Sequence, residues 1–331
     1  VGPLGAHRDQ EQVRLHDAQA AREYHSSMAE KILVGSGGGL WELADEASSQ
    51  VEALAGRSVT ALALDGATTW AIVDGSSLWV ARDRAWKQHA AIDGLPATCV
   101  AATAAGPLIG TEQAHLLRLT DSGLARVDSF ETVAGREAWY TPWGDPADVR
   151  SIAVAADGTI HVNVHVGGVA RSRDGGVSWA PTVDIEADVH QVIAHPSRAE
   201  VVLVAAAEGL GVSRDGGDSW QFATTGLHAH YMRAVAVAGE HVLISASTGF
   251  HGRRSAIYRK RLEGGTRFER CAEGLPKWFD DNIDTACLAA AGSVVVFGTS
   301  DGQVFRSVDA GEHWELLIKG LPPVACVGLL T

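Results

Sequence analysis

A chain of 331 residues, 46% hydrophobic and 20% charged, is long enough to bury a large core and lacks the bias of a disordered segment. Its 27 Lys and Arg against 40 Asp and Glu give a formal charge of −13, which argues against nucleic acid, whose phosphates demand a basic surface. No apolar run approaches membrane-spanning length, the N-terminus lacks a basic-then-apolar signal, and Cys99, Cys271, Cys287 and Cys326 show no C-x-x-C spacing, so a cytoplasmic protein with buried thiols and no membrane partner is expected.

Residues 1–27 are polar and weakly helical, and Gly2-Pro3-Leu4-Gly5 reads as the scar of a tag protease. They are expected to be a leader or expression-tag remnant, with residues 28–331 as the folded unit. From Lys31-Ile32-Leu33-Val34 onward, short Val, Ile, Ala and Leu runs alternate with Gly- and Asp-rich turns, and no helical period emerges. The chain is all-β.

Two repeated phrases measure a unit. Gly-Leu or Gly-Leu-Pro recurs at Gly94, Gly226, Gly274 and Gly320, with steps of 48 and 46 residues and a gap of 132 that holds three units of 44. The pattern S-x-D-x-G-x-x-W recurs from Ser172 to Trp179, from Ser213 to Trp220 and from Ser307 to Trp314. Its chemistry is that of a hairpin corner: Ser and Asp accept from turn amides, Gly supplies a positive φ, and Trp folds back as an apolar plug. A worn copy runs from Glu263 to Phe268, and only Asp83 with Trp86, and Asp121 with Gly123, survive in earlier units.

A period in the forties with four strands per unit predicts propeller blades. The clearest blade reads as strands over 189–194, 201–206, 210–213 and 220–224. The first unit, residues 31–57, lacks an inner strand, and the run 324–330 is an inner strand without successors. These fragments complete one another, which predicts a seven-bladed β-propeller of four-stranded antiparallel blades, closed by pairing the N- and C-terminal strands. The S-x-D-x-G-x-x-W corner resembles the Asp-box of the sialidase-like, or BNR-repeat, propellers. That resemblance implies the same fold, with the boxes on the outer edges of blades, away from any chemistry.

The beginnings of inner strands and the ends of second strands then open on one face around the channel. That rule gathers Arg150, His165, Asp188, His190, Glu208, Tyr231, Arg233, Arg254 and Asp284 at the mouth, mostly from blades 4 to 7, with Trp143 and Trp278 in connections above it. Histidine beside carboxylate points to a divalent metal or an acid–base pair. His161 and His165, roughly 13 Å apart on one strand, cannot share an ion, so His165, His190 and Asp284 are the expected metal ligands. The same histidines equally fit a wet channel in which they bond backbone and carboxylates.

The leading expectation is a monomeric hydrolase. His165, His190, Asp284 and Tyr231 would carry the chemistry on an ester, lactone, phosphoester or glycoside, and Arg150, Arg233, Arg254, Glu208, Asp188, Trp143 and Trp278 would bind it. The alternative is a non-catalytic scaffold that docks a protein or ligand, similar to the Asp-box photosystem assembly factors. A third reading follows from the sialidase resemblance, which implies an arginine trio of Arg150, Arg233 and Arg254 with Tyr231, Glu208 and Asp284. The Arg-Ile-Pro motif of that family is absent here.

Overall fold

Aliphatic runs punctuated by glycines at positive φ fold into strands throughout the residues that this computed structural model describes, 31–44 and 47–330. The expected leader, residues 1–27, lies outside the described residues. The strands form seven antiparallel sheets of four. Blades 2 to 7 occupy residues 59–91, 97–126, 149–181, 189–223, 235–270 and 288–318. The fold is the expected seven-bladed β-propeller.

Blade 1 joins the two ends of the chain. Val324–Leu330 is its inner strand and pairs with Lys31–Ser36 from Lys31 opposite Leu330 to Ser36 opposite Val324; Gly39–Ala44 and Ala47–Gln50 follow outward. Gly35 has to be glycine there, because a Cβ would come within 2.5 Å of the Cys326 sulfur and 2.7 Å of the Val59 carbonyl oxygen.

The core lies between blades rather than within one. Val202–Ala206 is buried along its whole length, and its side chains alternate between two neighbours. Leu203 and Ala205 pack with Val235 and Val237 of blade 6, while Val202, Val204 and Ala206 join Ala153 and Val169 of blade 4. Burying each Val or Leu on both faces contributes about 1.5–3 kcal/mol, so each blade depends on the next. All four cysteines are free and buried.

The three intact corners share one hydrogen-bond pattern. In the first, Ser172 accepts from the Gly176 amide at 2.8 Å and donates to Asp174 at 2.7 Å, and Asp174 Oδ1 accepts from the amides of Val177 and Ser178 at 3.0 and 2.9 Å. Ser213 with Asp215 and Ser307 with Asp309 repeat it. The glycines that close the corners, Gly176, Gly217 and Gly311, hold φ of 91°, 91° and 87°. Each corner is also gripped by an arginine from the third strand of the preceding blade: Arg118 donates to the carbonyl of Gly175, Arg171 to Gly216 and Arg259 to Ala310. In the worn copy Glu263 instead takes Arg198 and Arg214.

Candidate functional site at the channel mouth

In blades 1 to 5 the inner strand carries an extra residue at the same place, since pairing skips Ala325, Thr60, Thr98, Arg150 and His190. A bulge turns its extra residue out of the ladder, here toward the axis. Ala325, Thr60, Thr98 and Arg150 line a channel cavity of about 980 Å³, as does Arg233 of blade 6. Two residues further down, Leu62, Val100, Ile152 and Val192 line the same cavity.

At the mouth a chain of contacts runs through four blades. Trp143, 63% exposed, lies over His165 with ring centroids 5.0 Å apart. His165 Nε2 is 3.7 Å from Asp188 Oδ1, and His190 Nε2 is 3.4 Å from Asp188 Oδ2. His190 packs at a tilt against Tyr231, with ring centroids 4.6 Å apart, and its Nδ1 donates to the Met232 carbonyl at 2.6 Å. Arg233 donates to the Tyr231 hydroxyl at 3.3 Å and to Asp284 at 2.6 Å. Thr285 ties the group together by donating to the carbonyls of His190 and Arg233, each at 3.1 Å.

Two features set this group apart from a satisfied core. Asp188 sits in the left-handed region with φ 47°, and its Oδ1 and the Nε2 of His190 are buried without a hydrogen-bond partner. Arg150 has no hydrogen bond or ion pair among the described residues, although it lines the cavity within the fields of Arg233, Asp284, Tyr231 and Asp188. Its guanidinium remains charged despite burial and the Arg233 cation, which both lower its pKa.

Burial, then the Arg150 cation, pushes His165 down to about 4 against the pull of Asp188. Burial likewise lowers His190, so both rings are neutral at neutral pH. Burial alone would raise Asp188, but its charged surroundings, the Arg150 cation among them, outweigh it, and the carboxylate is ionised. Burial also opposes the charge on Arg233, and the Asp284 carboxylate overcomes it.

The structure therefore brings His165, Asp188, His190, Tyr231, Arg233, Asp284, Arg150 and Trp143 together. Three expected residues stand apart. Glu208 is exposed and outside the cavity lining. Arg254 and Trp278 form a separate group further out on blade 6: the Arg254 guanidinium lies 4.8 Å above the Trp278 ring, beside His228, which bonds Tyr258 at 2.8 Å. The arginine trio implied by the sialidase resemblance is thus not assembled. Nor do His165, His190 and Asp284 converge as metal ligands. Asp284 is taken by Arg233 and the Nδ1 of His190 by Met232, and among the described residues the one set of three such donors within 4.8 Å is Asp309, Glu312 and His313 on an exposed blade-7 corner. There Asp309 is already occupied by its own turn.

Sequence reasoning missed the mouth residues Thr60, Thr98 and Gln191. Their signal was positional, one or two residues after the start of an inner strand, but it emerges only once the bulges are known.

No family model and no curated protein matches the sequence. Solved structures do match. The chain is similar to an ancestral GH74 enzyme, with 16% identity and a TM-score of 0.59 over 80% of this chain and 39% of the other. For the GH74 xyloglucanase from Xanthomonas campestris the values are 18%, 0.57, 78% and 45%, so the chain spans less than half the length of either. A YCF48 structure with bound D1 peptide gives 16%, 0.54, 84% and 86%. Likeness at such identities shows a shared propeller fold.

Proposed function

We propose that the channel mouth is the site of a hydrolase acting on a small polar or anionic substrate. The observation that carries this reading is an unpaired guanidinium, Arg150, at the mouth beside a strained carboxylate, Asp188, flanked by two neutral imidazoles. Arg150 binds the anionic group. Water held against Asp188 and His165 passes a proton to His165 Nε2 as its oxygen bonds to the electrophilic carbon or phosphorus. The bond to the leaving oxygen then breaks, and that oxygen takes the proton. His165 is a weak base in the empty site, first because it is buried and then because Arg150 opposes its protonation; an anion docked on Arg150 offsets the second effect and makes His165 more basic when substrate is present. Arg233, fixed by Asp284 and Tyr231, stabilises the developing negative charge. A cytoplasmic location belongs to this reading, supported by the free, buried thiols.

The test is a panel of esters, lactones, phosphoesters and glycosides. One class should turn over, with a loss of about 100-fold or more in Asp188→Asn and His165→Ala proteins that remain folded. Absence of turnover across the panel, or turnover indifferent to both changes, removes the hydrolase.

A second reading, docking of a protein segment on the mouth face, is favoured by the exposure of Tyr140, Trp143 and Phe250 at 42%, 63% and 65% and by the likeness to a YCF48 solved with a peptide. A stoichiometric partner lost on Arg253→Glu with Arg254→Glu, in a protein without turnover, selects it.

A further inference from the structure

The channel below Arg150 changes chemistry within one step of the strand. At the bulged position the lining is Thr60, Thr98, Arg150 and Ala325; two residues on, past Ser151 and Gln191, it is Leu62, Val100, Ile152 and Val192. Val154 and Ala194 continue the apolar wall, and the charged side chains that line the cavity, Asp148, Arg150, Arg233 and Asp284, all belong to the mouth. From Arg150 to Val154 the strand advances on the order of 13 Å. A cavity of about 980 Å³ with, among the described residues, an unpaired cation at its rim and an aliphatic shaft beneath is built for a molecule with two ends.

Resting on the anion-binding reading of the mouth, we propose that the ligand is an unbranched aliphatic acyl compound. Its carboxylate, or the carboxyl end of an ester that yields one, lies on Arg150, and its alkyl chain runs down the channel past Ile152 and Val100. The guanidinium offers a forked pair of donors matched to the two carboxylate oxygens. Polar groups along the chain are disfavoured, because no charged side chain among the described residues lines the cavity below the mouth to receive them.

The test uses the intact protein and titration calorimetry with acetate, butyrate, hexanoate and octanoate. The expected result is affinity that rises about fourfold per added methylene, the equivalent of about 0.8 kcal/mol each, and levels off when the shaft is filled. Arg150→Gln should weaken the whole series, and Ile152→Asn should abolish the dependence on length while leaving acetate binding intact. Because the length series is measured on the unaltered protein, it stands even if Ile152→Asn fails to fold. Arg150-dependent binding of acetate with no gain along the series overturns the acyl ligand and leaves the anion-binding mouth standing. Tighter binding of phenylacetate than of octanoate overturns the linear tail, and binding of no carboxylate overturns both readings.

Discussion

His190 and Asp188 face each other across 3.4 Å without a hydrogen bond, because the single proton of the neutral ring is spent on the Met232 carbonyl. Two acceptors, the Nε2 lone pair and a carboxylate oxygen, are therefore pressed together inside the protein. Such a contact weakens the fold and persists where function needs the carboxylate.

Asp188→Asn should accordingly stabilise the protein. The amide N–H would donate to His190 Nε2, and Asn tolerates the left-handed φ of 47° at this position. A gain of about 1 kcal/mol is expected in denaturant unfolding, together with loss of turnover. A destabilised Asn variant would show that the pair already shares a proton.

Acid should unfold the protein through its buried imidazoles. His161, fully buried with both ring nitrogens unpaired, is lowered to about 4 chiefly by burial, and His165 to about 4 by burial and Arg150. Both hold a proton less tightly folded than unfolded, so stability is complete above about pH 6.5 and falls as the pH drops toward about 4, by roughly 3 kcal/mol per ring. The box carboxylates Asp174 and Asp215 stay charged through this window, held far below the usual range first by the hydroxyls of Ser178 and Ser219. His161→Phe should flatten part of the slope in denaturation curves taken between these pH values, with His165 and His190 carrying the rest.

The arginine grips between blades should be unequal in worth. Arg171, nearly buried, donates to the Gly216 carbonyl and pairs with Asp218 at 2.7 Å, whereas Arg173 meets the same aspartate with its side chain 53% exposed. Arg171→Met is expected to cost about 2 kcal/mol and Arg173→Met less than about 0.5 kcal/mol, read from urea midpoints.

Ring closure should be sensitive at Gly35. Gly35→Ala drives a methyl into Cys326 and the Val59 carbonyl and should cost about 1–3 kcal/mol. Adding Cys326→Ala should restore only part of that, because the backbone oxygen remains. Gly37→Ala, with open space around it, should be silent.

The architecture was legible because repetition is a property of the chain itself. The steps between Gly226, Gly274 and Gly320 give the blade length, and a lone inner strand at 324–330 opposite a blade without one gives the closure. Strand limits in blade 5 differ by a residue from the expectation, at Val202, Gly209, Gln221 and Ala223, because turns and hydrogen bonding decide the ends. The site was half legible. Residues at the starts of inner strands, such as Arg150 and His190, reach the mouth because that position is nearest the axis. Glu208, Arg254 and Trp278 lie on the same face in sequence logic but further from the axis, and radial position along a blade leaves no mark in residue type. The expected ligand trio is not brought together for a different reason: a list of ligand-type residues does not reveal that Asp284 already has Arg233 for a partner.

The inner strand of blade 1 is made after every other described strand. During synthesis, Lys31–Ser36 leaves the ribosome before the other described strands and waits, its hydrogen-bonding edge bare, until Val324–Leu330 arrives. While six further blades are being made, then, the nascent chain offers a sticky edge to its neighbours, and its yield in a cell should track chaperone capacity more closely than the stability of the finished ring.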